Sequence, residues 1–411
     1  LKRCQTALGT ACIAMMQVPI ASNPFASPAV RPQPCPAPGP QASQAAGGTG
    51  PILGRGSELR RLYCMPETMG HDHGGINCMA LVDGKVYTGG RDGCLFAWRG
   101  EERAGEFQLV QDGQPIALGS SVCSLHYDAA SKWLFCGLWD GDIQAYCKEP
   151  AMECRLKGHR RSVASLALHS SVLISGSNDG SVRLWTFNQA ARTFECHGQP
   201  LTNPSGPINA VQILGDGLWV GAQSGISCFD LGTLQHRGTI ASAAAVDELL
   251  VLDGHMLVTY RNGDVKIFDA GGGEKYVHPA VGEHTSNTSA ALMMHPLENK
   301  QMLLCGQKFG YVTAYDLPEF RPRGSWVCRH NSDIRALLDV KANGMVVTAG
   351  GQSDVMVWAF GRPGAGPAPT AASPFAAGGA RPAAAGVPMA SSPFGMPAAT
   401  PGAIGGDQMM G

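Results

Sequence analysis

Three residues of this 411-residue chain have the types that proton-transfer chemistry needs, His159, Ser175 and Asp179, and Trp185 closes the same stretch. An imidazole held between a carboxylate and a hydroxyl is part of what a catalytic triad requires. The same grouping, with an indole N–H beside it, can also satisfy its own polar atoms in a buried turn. No G-x-S-x-G elbow accompanies it. Other chemical signals are weaker. His71-Asp72-His73 offers imidazoles without a third or fourth ligand close in sequence, so no metal site is predicted. Gly271-Gly272-Gly273-Glu274-Lys275 lacks the G-x4-G-K-[ST] spacing of a phosphate loop. The 14 cysteines contain no C-x-x-C pair. No nucleophile–base or paired-carboxylate set recurs, and neither an enzyme activity, a cofactor nor a small-molecule substrate is expected.

The elements that must position the tetrad are legible in the stretch from Leu156 to Trp185. Gly158-His159 opens it, and Val163, Leu166 and Leu168 follow in a β-like run. Val172 to Ser177 forms a second run, turns at Asn178-Asp179-Gly180, and continues through Ser181 to Trp185. Asx and Gly tolerate the positive φ of tight hairpin turns. The reading is a three-strand antiparallel unit. Such a unit cannot bury both faces of its sheet alone, so copies are required.

The copies exist. The closing aromatic recurs at Trp98, Tyr146, Trp185, Phe229, Phe268, Tyr315 and Trp358, each after a β-run and a Gly-rich or polar turn. The spacing fits a repeat of roughly 40–45 residues. Asp92 and Asp140 stand at the turn in the first two units, with His71 or His73 as the first unit's histidine. Ser224, Asn262, Phe309 and Gln352 stand near that place in the last four, so those blades are expected to lack the polar network and to rely on apolar packing.

These units resemble WD40 repeats. The resemblance implies an all-β fold: a seven-bladed WD40-type β-propeller, in which closure removes exposed sheet edges. It also implies that the His, Ser, Asp and Trp act as scaffold, and that an outer strand from one end of the domain completes the blade at the other. Leu59 to Cys64 is the segment predicted to do this. Residues 303–327 and 334–358, and the AYDLPEF segment ending at Phe320 most specifically, are similar to the last repeats of plant-type CCCH zinc-finger WD40-repeat proteins. Fingers of that family imply RNA binding. Here Cys4 and Cys12 have the first finger spacing, but Val18 and Ser22 stand where the third Cys and the His are needed.

Composition bounds the rest. Gly accounts for 54 residues and charged residues for 15%, which suits short strands and tight turns. Net charge over 58–360 is −6, from 25 Lys+Arg and 31 Asp+Glu, so a general phosphate-gripping surface is absent. Residues 1–57 and 361–411 are rich in Pro, Ala, Gly and Ser and are predicted to be disordered arms. The first arm has no acidic residue, so organellar targeting stands beside a cytoplasmic or nuclear location as an expectation. The chain begins with Leu1 rather than Met, as a fragment would. Cys94, Cys136, Cys228 and Cys305 lie in apolar runs and read as small core residues. No 18-residue apolar run suggests a membrane span.

Two loop groups remain as candidate partner contacts: Arg160 and Arg161 beside Arg155 and Lys157, and Arg323, Trp326 and Arg329 beside Arg321 and His330. Arg and Trp are favoured interface anchors, and basic-aromatic mixtures also stack on single-stranded RNA. The functional expectation is a non-catalytic protein-interaction scaffold. The alternative is an RNA-associated factor of the CCCH zinc-finger WD40 family whose finger is lost or truncated.

Overall fold

Strands whose residues are buried on both faces can only sit between other layers. Trp133–Leu138, Gly217–Ala222 and Met345–Gly350 are buried at every position. His236–Ala241 and Glu274–His278, by contrast, are mostly exposed. The computed structural model of the protein describes residues 58–361 apart from 67–68, 72–73, 104–105, 149–150, 281–285, 329, 331 and 341–343. The two arms expected to be disordered, Gly361 aside, lie outside the described residues. Within the described residues the strands form seven antiparallel sheets, each with a four-strand path.

Blade one comprises Ile76–Val82, Lys85–Gly90, Cys94–Arg103 and Glu106–Gln111, with the short Ile116–Ala117 added to its third strand. Blade two runs from Val122–Asp128 to Met152–Leu156, and blade three from Val163–His169 to Thr193–Thr202. Blades four, five and six begin at Ile208–Leu214, Val246–Leu252 and Asn287–Met294. Blade seven takes Ile334–Asp339, Met345–Gly350 and Val355–Gly361 from the end of the propeller and Glu58–Cys64 from its start. That strand pairs Leu59 with Phe360 and Arg61 with Trp358, and a bulge follows Arg61. The predicted completion of the last blade is therefore observed. Each inner strand neighbours the next around the molecule, and the last neighbours the first. The ring is closed.

The core sits between blades rather than within them. Seven apolar clusters each draw on two neighbouring blades. The strand Glu58–Cys64 serves two of them: Leu59 packs into the cluster of blades six and seven, and Leu62 and Tyr63 into that of blades seven and one. Close approach of adjacent blades requires glycine at a repeated position. A Cβ on Gly89 would lie 2.6 Å from Val122, and one on Gly176 would lie 2.6 Å from Val211. Polar side chains also tie one inner strand to the next. Asn77 Nδ2 donates to the Val122 carbonyl (2.8 Å), Ser124 Oγ to that of Val163 (2.9 Å) and Asn209 Nδ2 to that of Val246 (2.8 Å).

The cysteines divide. Cys136 and Cys305 are fully buried, as expected, while Cys94 and Cys228 are only half-buried. No disulfide joins two of the described cysteines. No helix among the described residues is long and apolar enough to cross a membrane.

Candidate functional site

The strand-turn-strand of blade three brings His159, Ser175, Asp179 and Trp185 together. His159 Nδ1 lies 3.1 Å from Asp179 Oδ2, and its Nε2 lies 2.8 Å from Ser175 Oγ. The Trp185 indole N–H donates to the same hydroxyl at 2.8 Å. Ser175, accepting from Trp185, is free to donate its proton to Nε2, which leaves Nδ1–H to donate to the carboxylate. That tautomer is neutral, and burial lowers the His159 pKa despite the pull of Asp179. Burial also opposes ionisation of Asp179. Hydrogen bonds from Ser181 and the Arg160 amide, with the imidazole beside them, hold its carboxyl down at about 2. Ser175 is fully buried. The grouping ties the turn at Asp179 to the strand at Ser175 through His159.

Two further copies occur. In blade one, His71 Nδ1 lies 2.9 Å from Asp92 and Nε2 2.8 Å from Thr88 Oγ1, which accepts from Trp98 at 2.9 Å. This selects His71 as the repeat histidine. Asp72 and His73 lie outside the described residues, and no cluster of metal-ligating side chains occurs among the described ones. In blade seven, His330 joins Asp354 (2.5 Å) and Thr348 (2.8 Å), and Trp358 donates to Thr348 at 3.0 Å. This corrects the expectation of a degraded last blade. Ser353 takes the left-handed turn position (φ 68°) that Gly180 holds in blade three (φ 80°). The aspartate follows that residue instead of preceding it, so Gln352 drew attention in the sequence while Asp354 makes the contact. The hydroxyl common to the three networks stands ten residues before the closing Trp. In blades two, four, five and six that place is held by Cys136, Trp219, Val258 and Cys305, all buried. Their closing residues Tyr146, Phe229, Phe268 and Tyr315 end the third strands, and among the described residues no His–Asp pair accompanies them.

The glycine loop Gly271 to Gly273 closes on itself. The Gly271 and Gly273 amides donate to Asp269 Oδ1 at 3.0 and 2.8 Å, and Lys275 pairs with Asp269. These are the groups a phosphate would have needed.

The two basic groups part company. Arg160 and Arg161 are exposed, and neither guanidinium has an ion-pair partner among the described residues. They line a recess of about 430 Å³ with Trp139, Ser162, Asn178 and Pro207. Trp139, which sequence reasoning missed, is 66% exposed. Its only signal was a large aromatic placed in a turn rather than in a strand. Arg155 is instead held by Asp140 (2.8 Å) and Asp142 (2.6 Å). Arg323, expected to be available to a partner, has a side chain only 9% exposed and clamped by Asp316 (2.5 Å) and Glu298. His330 belongs to the blade-seven network. The Trp326 side chain and Arg329 lie outside the described residues.

Inner strands of all seven blades line a central cavity of about 280 Å³ that includes Asn77, Cys78, Cys123, Gln212, Glu248 and Arg335. Glu248 keeps some exposure to it, yet desolvation, then the nearby Asp247, push its carboxyl up to about 8.

Comparison with known proteins agrees with this architecture. The family model "WD domain, G-beta repeat" matches residues 152–186, the unit with the complete tetrad. Zinc finger CCCH domain-containing protein 17 of Oryza sativa subsp. japonica is 26% identical over 284 residues, 67% of this chain and 60% of that protein. Zinc finger CCCH domain-containing protein 59 of Arabidopsis thaliana is 23% identical over 301 residues, 69% of this chain and 59% of its own length. WD repeat-containing protein 18 of Rattus norvegicus is 35% identical over 105 residues, 21% of this chain and 24% of that protein. The chain thus spans less than two thirds of the length of these relatives. Among solved structures, the WD40 β-propeller domain of Doa1 superposes with a TM-score of 0.57 at 17% identity, covering 74% of this chain and 97% of that one. One unit of the chain, residues 152–186, matches the WD-repeat family model, and the whole ring has the seven-bladed propeller fold of WD40 domains.

Proposed function

We propose that this propeller is a non-catalytic protein-interaction platform. The observation that carries the reading is a division of polar groups. The histidines of the three His–Asp networks, His71, His159 and His330, are buried against their turns, whereas Trp139, Arg160 and Arg161 face outward around a recess. Arg and Trp anchors in a concave, rigidly held patch are what a protein interface uses. Loops at the rim of a closed ring can present such groups without disturbing the core.

An RNA-associated role is the second reading, raised by the zinc-finger names of the plant relatives. It gains nothing from the propeller's −6 charge or from Cys4 and Cys12, which have no matching Cys and His. Affinity purification of the full chain, with and without ribonuclease, tests both. Protein partners that survive digestion support the platform. Partners lost on digestion overturn it in favour of RNA.

A further inference from the structure

The rim recess has a chemistry of its own. Resting on the platform reading, we propose that the recess around Trp139, Arg160 and Arg161 docks an acidic linear peptide, with an apolar side chain on Trp139 and carboxylates on the two guanidiniums.

Three observations fix the occupant. First, the recess is prebuilt from three blades. The Trp139 amide donates to the Ser121 carbonyl at 2.9 Å. Gly141 (φ 95°) in the same turn lies so close to blade three that a Cβ there would sit 2.5 Å from the His159 carbonyl oxygen. On the opposite wall the Arg160 amide donates to Asp179 Oδ2 at 2.9 Å, and Ser177 Oγ donates to the Arg161 carbonyl at 3.0 Å. Asn178 Nδ2 donates to Ser162 Oγ at 2.7 Å on the floor. The tetrad carboxylate that holds His159 therefore also holds the backbone that presents Arg160. Little backbone ordering is left to be done on binding.

Second, the charge is unbalanced where it matters. The acidic residues that follow Trp139, Asp140 and Asp142, are both engaged by Arg155. Arg160 and Arg161 are left as cations without carboxylate partners among the described residues, and charge-assisted bonds to an incoming carboxylate are the strong kind. Third, size and polarity suit a peptide. About 430 Å³ accepts one or two side chains, and an indole 66% exposed beside cations offers an apolar shelf. Sequence-tolerant RNA binding asks instead for a basic groove with successive stacking aromatics, and the −6 charge of residues 58–360 works against it.

The test is a peptide-display selection on the full-length chain, followed by titration of one selected peptide and of a polyuridine oligonucleotide. Trp139→Ala, Arg160→Glu and Arg161→Glu all change exposed side chains, and unchanged melting curves establish that they fold. The expected result is enrichment of peptides with Asp or Glu around a bulky apolar residue. Each variant should weaken the selected peptide roughly tenfold or more, and added salt should weaken it further. Enrichment of neutral or basic peptides, or acidic peptides that bind all three variants as well as the parent, overturns the proposal while leaving the platform standing. Enrichment of no peptide, with polyuridine binding lost in the variants, overturns both.

Discussion

Arg160-Arg161 and the segment from Arg321 to His330 read alike as sequence, each a basic stretch between two repeats, yet the fold treats them in opposite ways. At the opening of blade three the backbone is pinned and the guanidiniums are left outward. In blade six Arg323 lies under the surface between Asp316 and Glu298, and His330 is drawn into the tetrad of blade seven. The difference lies in partners, not in composition. A cation becomes a candidate contact only when no carboxylate of its own chain is within reach. That property is set by segments apart in sequence: Glu298, in a turn, is 25 residues from Arg323.

The sharpest break in this comparison comes from removing the strand at residues 58–64. Leu59 packs with Met293, Met302 and Cys328 in the cluster of blades six and seven, while nothing of blade three touches that cluster. Deletion should lower the melting temperature by roughly 10 °C or more, and hydrogen exchange should rise in blades six and seven before blade three. Uniform exchange would show that the ring unfolds as one unit.

Next in size is Arg323→Ala. It leaves Asp316 and Glu298 facing each other without their shared cation, and should cost about 2–3 kcal/mol in denaturant unfolding. Arg160→Ala and Arg161→Ala should each fall within about 0.5 kcal/mol of zero. A reversal of this order would mean that the two groups had been assigned the wrong way round.

Asp179→Ala should cost roughly 1–3 kcal/mol, because it orphans His159, Ser181 and the Arg160 amide together. Asp140→Ala, on the corresponding turn of blade two, should cost less: its carboxylate binds a surface arginine that Asp142 also holds. Equal costs would mean that the tetrad adds nothing beyond its turn.

The repeat frame, the closing strand and the complete tetrad of blade three were legible because local spacing carries them. An aromatic every forty-odd residues, a Gly-rich turn before it and a β-run at each end are properties of contiguous sequence. The blade-seven network was misread for a local reason. Ser353 takes a backbone conformation usually left to glycine and displaces the aspartate past the turn. Trp139 was overlooked because nothing near it in sequence says that its indole stays outside while Trp133, six residues earlier, is buried among Phe135, Phe187 and Phe194. Exposure of that kind follows from how blade three packs on the turn through Gly141. The neutralisation of Arg323 likewise depends on which hairpins the ring brings together.

The smallest expected effect separates the two regions by pH. In the tetrad, burial depresses the His159 pKa below its ordinary 6.5. The unfolded chain then takes up a proton there before the folded one does, so stability falls as pH drops below about 6.5. Asp179, held near 2 against a usual 3.8, contributes a second loss only below pH 4. Across the ring, Glu298 is depressed from 4.5 chiefly by its bond from Arg323, and this clamp persists until pH falls below that value. Between pH 6.5 and 4.5 the support beneath Arg160 should therefore loosen while the Arg323 clamp holds. Amide exchange at Arg160 and Ser181, compared with that of the strand at 321–327, should rise selectively on going from pH 7 to about 5, after correction for intrinsic rates. The change should be the small one that a single titrating histidine can give. It should vanish in His159→Gln, where no imidazole remains to be protonated. Equal changes in the two regions would show that the tetrad is not what holds the docking arginines in place.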